Sequence, residues 1–145
     1  MRQKRNIQTI AGISIVFMIV CVGLSTSCAA APTTLEITAV KGGFGAVSVT
    51  VKNTGAVTAE NITMTISVKG GILGRINITK ICSGCGNCSN SIQPNATKTE
   101  NTAEAGRILG FGPVTILATA EAANAARVNT TYSGFVLGFF VIVTK

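Results

Sequence analysis

The sequence has no histidine and no tryptophan, and its five acidic residues are all glutamate. Each absence removes a class of function. Without aspartate, an EF-hand or another Asp-rich calcium loop cannot be built. Without histidine, the commonest general base and metal ligand is missing, and the plentiful Ser and Thr hydroxyls have no base to activate them. The acids are Glu36, Glu60, Glu100, Glu104 and Glu121. Only Glu100 and Glu104 are close in sequence, and like-charged Glu in a polar stretch reads as solvated surface. The composition therefore predicts no enzyme, no cofactor and no resident metal. Charge of either sign is also sparse, at 12% of residues against 47% hydrophobic, which excludes a disordered chain.

The formal net charge is +7. Arg2, Lys4 and Arg5 precede an apolar segment; the nine remaining Lys and Arg, set against five Glu, leave +4 for the rest. Those nine are scattered singly, without the basic clusters and interleaved aromatics of a nucleic-acid surface, so no nucleic-acid partner is expected.

The N-terminus has the layout of an export signal. Residues 1–6, MRQKRN, are positive; Ile10 to Leu24 is apolar with Ser14 as its one polar member; Ser25 to Ala31, STSCAAA, is a stretch of small residues. As a helix, Ile10 to Leu24 spans about 22 Å, short of a hydrocarbon core of about 30 Å. Extended back to Ile7 it reaches about 27 Å, enough to span a thinned bilayer. Cleavage after Ala30 gives a secreted protein; retention gives a signal anchor with the bulk of the chain outside. A third reading is lipidation at Cys28, because LSTSC resembles a lipobox with Leu24 one place too far upstream. The domain boundaries are thus 1–30 for the signal or anchor and 31–145 for one folded domain, located at the cell surface or outside the cell.

The domain reads as all-β. Val47, Val49 and Val51 alternate with Ser48, Thr50 and Lys52; Ile62, Met64, Ile66 and Val68 alternate with Thr63, Thr65, Ser67 and Lys69. Period-two alternation predicts two strands with one apolar face each, placing Val49 and Ile66 inward and Thr50 and Thr65 outward. NTGAVTAEN between them is a turn, with Asn53 in an Asx-turn and Gly55 free to take positive φ. Further strands are expected at Leu35–Ala39, at Ile72–Lys80, at Val114–Ala120, at Val128–Ser133 and over the apolar end of the chain from Gly134. GGFG at Gly42–Gly45 reads as a turn with Phe44 as an apolar plug. Thr97–Ala105 reads as a strand or a short helical turn, and Ala122–Arg127 has helix-like composition. Seven to eight short strands at this spacing predict an immunoglobulin-like β-sandwich.

VKNTGAVTAENITMTI, together with the later FGPVTILATAEAAN, resembles the CARDB-type (cell-adhesion-related) Ig-like domains of archaeal and bacterial surface proteins. The resemblance covers about two thirds of the chain after the signal. It implies an extracellular, non-catalytic domain. The family often carries Asp after the later strand, where this chain has Ala120 and Glu121, so no metal site follows from the resemblance.

Cys82, Cys85 and Cys88 form a C-x2-C-x2-C run. The spacing matches the first three ligands of a bacterial ferredoxin cluster, but no fourth ligand follows, and a zinc site also needs four. In an exported protein a disulfide within the run is the expectation, with Cys82 joined to Cys85 or Cys88. Asn-x-Ser/Thr sequons stand at Asn61, Asn77, Asn87, Asn95 and Asn129, candidate glycosylation sites that β-rich Thr beside turn-forming Asn also explains. The function expected is an exported envelope module with a structural or adhesive role. The alternatives are a subunit of an extracellular filament or assembly, and a small metal-binding or electron-transfer protein using the cysteine run. Expected partners are other envelope proteins, further copies joined through edge strands, or the membrane through an uncleaved N-terminal segment.

Overall fold

The computed structural model describes residues 33–83 and 90–144. Residues 1–30, expected to be a signal or anchor, and Cys28, Cys85, Asn87 and Cys88 lie outside them. Regular structure among the described residues is β, apart from two single 3-10 turns, Ile72–Gly74 and Thr102–Glu104. None of it is a helix long and apolar enough to cross a membrane.

Ten strands follow in chain order: β1 Leu35–Gly42, β2 Val47–Asn53, β3 Ala59–Glu60, β4 Thr63–Gly70, β5 Ile76–Cys82, β6 Ser91–Ile92, β7 Thr97–Asn101, β8 Gly110–Ala122, β9 Ala125–Gly138 and β10 Phe140–Thr144. One sheet has the order β1-β2-β7, a second the order β10-β9-β8-β4-β5, and β3 pairs with β6 alone. The named pairings within these sheets are antiparallel.

Alternation decides which face is buried. On β2 Val47, Val49 and Val51 are buried and the residues between them half-exposed; on β4 Met64, Ile66 and Val68 repeat the pattern. Val114, Ile116, Ala118 and Ala120 of β8 and Val136 of β9 complete the opposing inner face, and all of these share one hydrophobic cluster. A side chain such as Ile116 gains roughly 1.5–3 kcal/mol from full burial. The facing assigned to Val49, Ile66, Thr50 and Thr65 from period two is the facing observed.

The turn after β2 is organised by a buried polar residue. The side-chain carbonyl of Asn53 accepts from the Gly55 N–H at 2.9 Å, closing the Asx-turn, and its amide donates to the carbonyls of Val57 at 2.8 Å and Ile92 at 2.9 Å. Asn53 is fully buried with these bonds made, so it ties the turn to β6 without an orphaned group. Gly55 is required for space and not for positive φ: a Cβ there would stand 2.7 Å from the Thr34 nitrogen.

Several expectations give way. The strand expected over Ile72–Lys80 begins at Ile76; Ile72–Gly74 is a 3-10 turn, with Leu73 at φ 60°. Thr97–Ala105 holds both proposed elements, a strand and then a 3-10 turn capped by the Asn101 side chain. Ala122–Arg127 is not helical: it contains the turn of the long β8–β9 hairpin, where Asn124 bonds the Glu60 N–H and the Thr58 carbonyl. The two C-terminal strands expected are instead one strand of 14 residues, β9, followed by a turn into β10. Phe44 is not a plug; it is 58% exposed.

The two sides of the layered structure close differently. β1 approaches β10 backbone to backbone, with the Val141 N–H donating to the Gly43 carbonyl at 3.0 Å. Only glycine fits at 42, because a Cβ would lie 2.0 Å from the Val141 carbonyl oxygen. On the other side the sheets end at β5 and β7. There Ile66 stands opposite Lys80, Val51 opposite Lys98 and Val49 opposite Glu100, so these charged side chains point toward the interior face.

Candidate functional site

The predicted site residues are not gathered in one place. Cys82 ends β5, is buried and is disulfide-bonded. Its sulfur is therefore not a thiolate, the form a metal requires. Lys98 on β7 donates to the Cys82 sulfur at 3.7 Å, across the gap between the two edge strands. Its partner sulfur lies outside the described residues. No group of three or more His, Cys, Asp or Glu side chains among the described residues could hold a metal ion.

The flank around Cys82 is a structural seal of charges. Lys80 is paired with Glu104, and Lys98 with Glu100 at 3.5 Å. The lysines are 13% and 11% exposed at their side chains, so each is held where a core residue would otherwise stand. Glu104 is exposed, as expected of a solvated acid, while it holds Lys80 of β5; Glu100 is not, being 16% exposed at its side chain and paired with Lys98 two residues earlier on β7. Inward-pointing charges on edge strands discourage pairing with another chain.

The sequon asparagines Asn61, Asn77, Asn95 and Asn129 are all exposed, at four separate places. Asn61 and Asn95 lie in connections with φ of 51° and 60°, Asn77 on β5 and Asn129 on β9. Exposure makes each chemically accessible; nothing links them into a common site.

The strongest surface feature is one the sequence reading passed over. Among the described residues, no phenylalanine is in the core. All five phenylalanines among the described residues are more than 40% exposed. They gather at the end of the molecule formed by the β1–β2, β4–β5 and β9–β10 turns. Phe44 stacks on Phe139 with ring centroids 5.3 Å apart and meets Phe140 edge-on at 5.5 Å. On the outer face of the larger sheet, Phe111, Leu137 and Phe140 stand in one register row and Pro113, Phe135 and Ile142 in the next. Beside them an open cleft of about 320 Å³ is lined by Ile72, Leu73, Leu109 and Phe111, with Arg75 among its walls. Leu73 is 86% exposed.

The signal for this surface was present in GFVLGFFVIVTK. Phe135, Leu137 and Ile142 point outward while Val136 and Val141 point inward. An apolar run in a strand fills both faces, and only one face of an outer sheet belongs to the core.

No protein-family model matches the chain, and no curated protein matches it.

Proposed function

We propose that the chain is an exported cell-envelope module with an immunoglobulin-like sandwich, of the CARDB type it resembles, acting in structure or adhesion and not in catalysis. The observation that carries the fold part is the interlocked strand order. β2 pairs with β7 in one sheet while β4 pairs with β8 in the other, and β9 lies beyond β8. Immunoglobulin sandwiches place their B and E strands in one sheet and C, F and G in the other, which is the same interlock with β1 as strand A. The chain departs from the antibody pattern in having no tryptophan, and in placing β5 beside β4 and not beside β7.

The functional part rests on the positive, apolar and small-residue succession of residues 1–31. A disulfide at Cys82 suits the oxidising side of a membrane. The acids at the flank hold lysines and leave no carboxylate pair poised over a cleft. The test is the intact mass of the protein in fractionated producing cells. The reading expects the protein in the envelope or the medium, with a mass starting at Ala31, or the full-chain mass if the segment is kept as an anchor. Full-chain protein in the soluble cytoplasmic fraction would overturn it.

A further inference from the structure

The apolar end is too large to be incidental surface. Ten side chains of the Phe, Leu and Ile type, from 41% to 86% exposed, present on the order of 1,000 Å². The largest apolar patch of a typical monomer is roughly 300–600 Å². The end also has a charge of one sign around it. Lys41 is one residue before the end of β1, Lys69 is one residue before the end of β4, Arg75 walls the cleft, and Arg107 lies beside the Phe44 turn at Gly45. All four are exposed, and none forms an ion pair among the described residues. Glu104, on the 3-10 turn before Arg107, is held by Lys80.

We infer that this end docks on an anionic lipid surface. Protruding Phe, Leu and Ile enter the boundary between headgroups and acyl chains, and the surrounding Lys and Arg meet the negative headgroups. Two other occupants fit less well. A second copy docking by the same end would bring like-charged rims together. The chain's own N-terminal segment joins at Thr33, which bridges to Ala125 at the opposite end. β1 alone separates the ends by about 26 Å, and the eight residues 25–32 reach about 27 Å fully extended, so they would be used up along the length of the domain.

The inference names a partner for the exported module proposed above and rests on that reading. It is tested on purified protein, so its failure would leave the question of export to the fractionation experiment. Because the chain has no tryptophan, Leu73→Trp and Gln93→Trp each place a single indole, one in the apolar end and one in the exposed connection between β6 and β7 at the other end. Full chains of both variants are mixed with phosphatidylcholine vesicles that carry brominated acyl chains, with and without phosphatidylglycerol. The expectation is at least about twofold stronger quenching at 73 than at 93 when phosphatidylglycerol is present, with binding weakened about fivefold each for Arg75→Gln and Arg107→Gln. Equal quenching at both positions would show that only the N-terminal segment inserts, and would overturn the inference. So would the same quenching at 73 on phosphatidylcholine alone. A blue shift at 73 that grows with protein concentration before lipid is added would assign the end to a second copy instead.

Discussion

The two places where the sheets stop meet water in opposite ways. Along the flank between β5 and β7, the positions that continue the core faces include Lys80, Lys98 and Glu100, each in a salt bridge, with the disulfide-bonded Cys82 beside them. At the end where the β1–β2 and β9–β10 turns meet, the positions facing solvent are Phe44, Phe139, Phe140 and their neighbours, with no acid paired over them. The flank puts charge where apolar residues would pack, and the end puts apolar residues where charge would dissolve. The first arrangement suppresses association and the second invites it. Both are built on strands of the same antiparallel fold, so the difference lies in side chains and not in backbone.

Both regions rest on one core, and a truncation there costs more than a change in either of them. Ile66, on the strand next to β5, is buried against both sheets. Ile66→Ala is expected to cost about 2–5 kcal/mol, while Thr65→Ala on the other face changes stability by less than about 0.5 kcal/mol. Urea denaturation followed by circular dichroism gives both values. Equal, small losses would mean that the two faces of β4 are not distinct.

The flank depends on its covalent bond. Cys82→Ala is expected to cost about 2–4 kcal/mol in oxidised protein. Reductant should destabilise the wild type by a similar amount and leave the variant unchanged. A variant that still responds to reductant would place the stabilising bond elsewhere. Asn53→Ala, at the end opposite the phenylalanines, leaves the Val57 and Ile92 carbonyls and the Gly55 N–H without their partner, at about 1–3 kcal/mol. Asn53→Asp tests the same site, since a carboxylate keeps the bond to Gly55 and cannot donate; it should fare no better than alanine.

The charge seal should matter for association more than for stability. Glu104 is 62% exposed, so losing its partner strands no buried charge, and Lys80→Leu should change stability by no more than about 1 kcal/mol. It should raise the dimer fraction in sedimentation velocity, because it removes an inward charge from an edge strand. A variant that stays as monomeric as the wild type would separate the charges from any protective role.

Much of the fold was legible because its strands alternate. Val47 to Val51 and Met64 to Val68 carry period two without interruption, and Asn53 announced the turn between them. The connections were harder to read. Ala122–Arg127 looked helical because alanine favours helices, yet two long strands pairing on either side override that local preference. Gly134 looked like a strand boundary, but it lies inside β9, where its missing Cβ makes room for the Ile142 carbonyl oxygen of β10, 2.8 Å from where that Cβ would be. Phe44 looked like a plug because aromatics are usually core residues, whereas here the core is filled by Val, Ile, Met and Ala. No local rule in a single sequence tells whether the outward face of a doubly apolar strand is covered.

The phenylalanine-rich end belongs to the surface and not to the fold. Denaturation of the double variant Leu73→Ser, Leu137→Thr tests it directly, since both residues are more than half exposed and threonine keeps the strand preference of β9. The account predicts a midpoint and slope within about 1 kcal/mol of the wild type, with less self-association and less binding to anionic vesicles. A loss of about 2 kcal/mol or more, on the scale of a buried truncation, would show that this end is part of the core and contradict the account.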